Sequence, residues 1–192
     1  MKKNFFRIFA FAAMAMGMTF VSCQKDNETD GDSGNPVESS TIVYINFENR
    51  PLSIERGERT LSIVDNEFQI QNEGDMAFFA IFKPGAGVVS TQGQYYKNVT
   101  PLQENTEIGS SNSFHMYNAA EGYANADLYS YQNTAWSGKT AYIGVCFQKD
   151  GATHYGWIKT QCIVNSGNCI FKVFGIAYEG TAGKAIKAGA TK

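Results

Sequence analysis

Three consecutive runs, Thr140–Gln148, Thr153–Val164 and Cys169–Tyr178, hold most of the apolar positions in this part of the chain, each rich in β-branched and aromatic side chains. These residue types fit the pleated surface of a strand. The breaks carry Asp150-Gly151 and Asn165-Ser166-Gly167, residues that accept the positive φ of a tight hairpin turn. The pattern predicts a three-stranded antiparallel meander. Two registers are open for its first hairpin. A two-residue loop puts Ile143, Val145 and Phe147 opposite Ile158, Gly156 and His154, with Trp157 over Gly144 on the other face. A three-residue loop with a glycine bulge puts Trp157 in the core with Ile143 and Val145. A mid-strand Trp brings a large apolar area to a core, which favours the bulged register.

Upstream, Ile42–Phe47 reads as a first strand, Glu55–Arg59 as a charged turn, and Leu61–Val64 and Phe68–Gln71 as strands before a turn at Asn72–Asp75. Met76–Phe82 is almost unbroken apolar sequence, as in a strand buried on both faces, and Pro84–Gly87 ends it. From Val88 to Gly138 the periodicity weakens, so long loops and a binding surface are expected there. One weak helical stretch, Asn118–Asp127, is interrupted by Gly122. Many short strands and no long amphipathic helix predict an all-β domain: a jelly-roll-like, antiparallel two-sheet β-sandwich ending in the meander.

The N-terminal pattern is different. Lys2, Lys3 and Arg7 precede an apolar run, Ile8–Val21, that is too short to span a bilayer and suits a secretory signal. It ends in Phe20-Val21-Ser22-Cys23, which resembles the lipobox of bacterial lipoproteins, with Phe20 where Leu is commoner. The resemblance implies a signal peptide over residues 1–22, acylation of Cys23, for instance with palmitate, and an outer-membrane anchor. Several acyl chains on one cysteine hold firmly, at about 0.8 kcal/mol per buried methylene. Residues 24–40 carry five acids, one lysine and no aromatic, too little apolar surface to order themselves. Residues 23–40 therefore form a lipidated cysteine and a disordered acidic tether with a reach of about 20–25 Å. Within it, Lys25-Asp26-x-Glu28 resembles the acidic export signal of surface-exposed lipoproteins of Bacteroides-type bacteria, which implies a cell-surface location. The β-domain occupies residues 41–192.

Removing residues 1–22 takes three positive charges and no negative ones from a net charge of −2, leaving −5. That balance, and the lack of any basic cluster, argues against nucleic acid as a partner.

His154-Tyr155-Gly156-Trp157-Ile158-Lys159, then Ile176-Ala177-Tyr178-Glu179, then Gly183-Lys184-Ala185-Ile186-Lys187-Ala188-Gly189 close the chain. This ending resembles a group of secreted bacterial β-proteins, several with a PEP-CTERM sorting signal, whose end reads Tyr-Gly-Trp-hydrophobic-Arg, Tyr-Ala-Tyr-Glu, Gly-x-x-Ile-x-Ala-Gly. Lys159 stands at the arginine position, and no sorting helix follows Gly189. The resemblance implies a shared fold and export, and no reaction.

Beyond Cys23 there are three cysteines. Cys162 and Cys169 flank the Asn165–Gly167 turn, and a closure placing them directly opposite one another would allow a disulfide. That bond is expected, with Cys146 a free buried thiol; the alternative is three reduced cysteines packed as small apolar residues. Three cysteines and two separated histidines, without C-x-x-C or H-x-x-x-H, make a poor zinc set, and no cofactor is expected. Ser110, Ser111 and Ser113 lie near His115, but no nucleophile motif surrounds them. His154, at a hairpin mouth, reads as a solvent-edge strand residue. Asp65, Glu67, Glu73 and Asp75 offer a carboxylate pair for glycoside hydrolysis or, with Asn66 and Asn72, a weak calcium set, although turns carry acids ordinarily.

Aromatic residues carry the preferred reading. Tyr95-Tyr96, Tyr117, Tyr123, Tyr129, Tyr131 and Trp136 fall in or near expected loops, and Trp136, Tyr123, Tyr129 and Tyr131 are the ligand-binding candidates. The expectation is a surface-anchored, non-catalytic binding or adhesion module, taking a glycan or a surface protein. A secreted hydrolase using the acids of residues 65–75, or a structural lipoprotein with no small ligand, is the alternative.

Overall fold

The structure, a computed structural model, describes residues 41–63 and 66–192, with backbone alone for 58–63, 66 and 67. The signal peptide, Cys23 and the tether up to residue 40 lie outside the described residues.

Strands dominate, as the β-branched and aromatic runs require. In chain order they are β1 (Ile42–Asn46), β2 (Leu52–Ile54), β3 (Gly57–Ile63), β4 (Asn66–Asn72), β5 (Ala77–Ile81), β6 (Gly87–Gln92), β7 (Lys97–Val99), β8 (Glu107–Ile108), β9 (Phe114–Met116), β10 (Ala124–Tyr129), β11 (Thr140–Lys149), β12 (Ala152–Asn165), β13 (Asn168–Glu179) and β14 (Ile186–Lys187). No helix occurs among the described residues, and the stretch offered for one, Asn118–Asp127, is a turn followed by β10.

The meander forms with long strands and two-residue loops. Lys149 pairs with Ala152 across Asp150 (φ 52°) and Gly151 (φ 77°), and Asn165 pairs with Asn168 across Ser166 (φ 49°) and Gly167 (φ 83°). Both central residues of each loop have positive φ, the turn geometry whose twist matches the flanking strands. Ile143 is therefore opposite Ile158 and Gly144 opposite Trp157, which corrects the bulged register favoured by the sequence. Trp157 is nevertheless buried, because the meander is covered on both faces.

Hydrogen bonding links twelve strands into one mixed sheet, in the order β1-β13-β12-β11-β6-β7-β10-β5-β4-β3, with β2 added to β13 and β9 to β6. The continuity runs through β6. Its first half pairs with β11 and β9, and its second half with β7. The pair β7–β10 is parallel and the other described pairs are antiparallel. The sheet curls, so that Phe68, Phe79 and Leu128 from one end share a core with Ile143, Phe147 and Phe171 from the other. Asn72 fastens the curl: its amide donates to the carbonyls of Ile54 on β2 and Cys169 on β13, both at 2.9 Å.

A second apolar cluster covers the opposite face of the meander. Trp157, Tyr142, Cys146 and Ala177 pack there beneath Leu102, Ile108, Ile186 and Ala188. The last residues are tied down by pairing of β14 with β8 and by a hydrogen bond from Trp157 Nε1 to the Ala190 carbonyl at 3.1 Å. Gly144 leaves the space: a Cβ there would come within 2.8 Å of both Leu102 and Val89. Trp157, Ala177, Ile186 and Ala188, all part of the C-terminal resemblance, are thus packing residues. Glu179, 3% exposed, accepts from Thr41 Oγ1 and from the Thr181 amide at 2.9 Å, tying the start of the described chain to the end of β13.

Two further expectations are corrected. His154 is buried, not at a solvent edge; its Nδ1 lies 2.9 Å from the Glu179 carbonyl, and its ring sits beside Phe147 and Tyr178. The Cys162–Cys169 bond is absent, and Cys146, Cys162 and Cys169 are free and buried. The loop is Ser166-Gly167, so Cys162 faces Phe171 and Cys169 faces Val164, which removes the direct opposition a disulfide needs.

Candidate functional site

The region between β6 and β10, where periodicity fails, consists of short strands joined by tight turns. After β6 the chain reverses at Gly93, whose amide donates to the Tyr96 carbonyl at 2.9 Å. A side chain at Gly93 would have its Cβ 2.4 Å from that carbonyl oxygen and 2.3 Å from Asn98 Oδ1, so the turn requires glycine. It presents Tyr95 and Tyr96, 67% and 56% exposed. The Tyr96 ring meets Phe78 of β5 edge-on at 5.8 Å, which orients it without burying it. A second turn, from Asn118 to Gly122, delivers Tyr123, 42% exposed, at the start of β10.

These tyrosines line one open cleft of about 360 Å³, together with Lys97, His115, Glu121, Gln92, Asn118 and Asn125. Apolar ring faces with a few polar groups between them are the composition of small-molecule sites. Lys97 Nζ donates to Gln92 Oε1 at 2.6 Å, which fixes the position of its charge. His115 is held below the usual imidazole range, first by burial and then by Lys97, against the opposing influence of the Asn125 backbone and the Glu121 charge. Asn125 also has a buried side-chain oxygen without a hydrogen-bond partner.

The structure divides the expected binding residues. Tyr123 lines the cleft. Trp136 is fully buried in the core and its Nε1 donates to the Val99 carbonyl at 2.9 Å; Tyr129 is buried in the same core. Tyr131 is 81% exposed but does not line the cleft. Sequence reasoning included Tyr95 and Tyr96 among the aromatic residues without giving them priority. It missed Gln92, Lys97, Asn118, Glu121 and Asn125 altogether. Gly93 before a Tyr pair was the available signal; no pattern joins His115 on β9 to Asn125 on β10.

The acids expected for hydrolysis are less complete. Glu73 and Asp75 border a second open cleft, of about 520 Å³, with Arg56, Gln71 and Asn72. Asp65 and the side chains of Asn66 and Glu67 lie outside the described residues. Asn72 Oδ1 accepts from the Gly74 amide at 2.8 Å and the Cys169 thiol at 3.3 Å, so that oxygen is already engaged in the fold. Nor are the cysteines activated nucleophiles: burial pushes the thiols of Cys146 and Cys169 up to about 12 and that of Cys162 to about 11. Ser110, Ser111 and Ser113 do not line the His115 cleft.

No protein-family model, curated protein or solved structure matches this chain.

Proposed function

We propose that this protein is a non-catalytic binding module, anchored at the cell surface through Cys23, that holds a glycan in the cleft of Tyr95, Tyr96 and Tyr123. The convergence of three exposed tyrosines in one cleft with the polar residues Gln92, Asn118 and Asn125 carries this reading. Tyrosine faces stack on the apolar faces of sugar rings, and amides serve hydroxyls as donors and acceptors. A ring on a glycine-dependent turn and set edge-on against Phe78 loses little freedom on binding, which favours affinity. The outer-membrane location and surface exposure follow from the resemblances at Cys23 and Lys25–Glu28, and the curled sheet is read as a jelly-roll-like two-layer sandwich because its ends share one core.

The second cleft favours the hydrolase alternative only as far as Glu73 and Asp75 share a rim with Arg56. Affinity electrophoresis of the full chain through gels containing neutral and acidic polysaccharides tests the main reading. Retardation by at least one polysaccharide, lost in Tyr96→Ala, supports it. Unchanged mobility in every gel, with the fold intact, overturns it.

A further inference from the structure

We propose that β1 is a dimerisation edge, where the strand pairs antiparallel with β1 of a second copy of this chain about a twofold axis through Tyr44. This edge shares no residue with the tyrosine cleft. β1 is the last strand of the twelve-stranded sheet and pairs with β13. The Gly180 amide donates to the Thr41 carbonyl and the Phe47 amide to the Phe174 carbonyl, so the odd-numbered residues along β1 bond to β13. Successive residues of a strand direct their backbone groups to opposite edges, which turns the N–H and C=O of Tyr44 outward. Among the described residues no strand meets them.

The composition of this edge suits a partner strand. β1 reads Ile-Val-Tyr-Ile-Asn, without the charge, proline or bulge that keeps edge strands apart. The strand at the other end of the sheet, β3, carries Glu58 and Arg59. Val43 and Ile45 share one face of β1 and are 42% and 45% exposed, whereas the Tyr44 ring packs on the other face against Trp157 at 5.7 Å. Glu48, the first acid after β1, is neutralised by Lys159 at 2.8 Å. Residues 41–192 carry twelve Lys and Arg against thirteen Asp and Glu, so two copies repel little.

A second copy fits this edge better than the chain's own tether does. Residues 24–40 hold five acids and, of long aliphatic side chains, only Val37, which leaves little to set against Val43 and Ile45. A second β1 supplies the complement. Of the antiparallel registers with a twofold axis, the one centred on Tyr44 pairs all five residues of the strand. It makes Tyr44 and its own copy a hydrogen-bonded pair and brings Val43 opposite the partner's Ile45 as a close apolar pair. A five-residue pairing is smaller than the roughly 1,200 Å² of a stable complex, so the association is reversible.

Sedimentation velocity of the full chain in detergent, over a wide range of concentration, tests the dimer; Cys23→Ser in every sample leaves Cys146, Cys162 and Cys169, all buried, as the native thiols. A reversible doubling of protein mass is expected, lost in Val43→Lys and in Ile45→Lys. The register is read by mixing Val43→Cys chains with Ile45→Cys chains under mild oxidation. The mixture should form a covalent heterodimer and each chain alone little or none, because a residue and its own copy lie on a diagonal, about 7–8 Å apart. Equal cross-linking by either chain alone, or a dimer that survives both lysine variants, overturns the proposal. A monomer at every concentration also overturns it, and hydrogen exchange then names the occupant: a slow Tyr44 amide points to the chain's own tether, a fast one to a different protein.

Discussion

The meander and the stretch from β6 to β10 are built from the same aromatic and β-branched residues, yet they use them in opposite ways. In β11–β13 the aromatics fill cores on two faces: Phe147 and Phe171 on one, Tyr142, Tyr155 and Trp157 on the other. Between β6 and β10 the connections are short and turn-rich, and Tyr95, Tyr96 and Tyr123 are left at the surface. Long strands with neighbours on both edges and covers on both faces must bury what they carry. Short strands ending in glycine-dependent turns do not, and there the rings remain available to a ligand.

Substitutions sharpen the contrast. The largest effect is expected from Trp136→Ala or Trp157→Ala, each a buried indole with a backbone hydrogen bond; urea unfolding should show a loss of about 3–5 kcal/mol for either. Asn72→Ala should cost about 2–3 kcal/mol, since it leaves the carbonyls of Ile54 and Cys169 without their donor and loosens the curl of the sheet. Tyr131→Ala, by contrast, should stay within about 0.5 kcal/mol of the native protein. If Trp136→Ala were as mild as Tyr131→Ala, the division between core and surface aromatics drawn here would collapse.

Two smaller effects depend on titration. The three buried thiols should not react with a disulfide reagent at pH 8 until the domain unfolds, because burial keeps them protonated. Rapid labelling of Cys146 in the folded protein would contradict the cover that Met116 and β9 give it. His115 takes up its proton at lower pH in the folded chain than in the unfolded one, where the reference is 6.5. The unfolded state therefore binds the proton first as pH falls, and stability should decline from about pH 6.5 down to the folded pKa. Comparing unfolding of the native and His115→Gln proteins over pH 5–8 isolates that slope, which should vanish in the variant.

The meander was legible because its signals are local: β-branched and aromatic runs mark the strands and Asp150-Gly151 marks the turn. Its register was misjudged for a non-local reason. Trp157 was assigned to the single core that periodicity implies, whereas residues around Leu102 and Ile186 build a second one on the other face. Similarly, Trp136 looked like a loop aromatic because the carbonyl that receives its indole belongs to Val99, far away in sequence. The cysteine pairing failed because the loop within the Asn165–Gly167 turn is Ser166-Gly167, which sets Cys162 against Phe171 and Cys169 against Val164. Of the cleft, aromatic content was readable; the convergence of β6, β7, β9 and β10 that assembles it depends on a curled sheet and a parallel pair with no local signature.

The most direct test of the central claim is a map of backbone amide shifts in the ¹⁵N-labelled chain on titration with a neutral oligosaccharide derived from a retarding polysaccharide. Saturable shifts confined to Gln92–Lys97, His115 and Asn118–Asn125, absent in Tyr96→Ala, are expected. Shifts centred instead on Arg56, Glu73 and Asp75 would contradict it and bring the hydrolase reading forward.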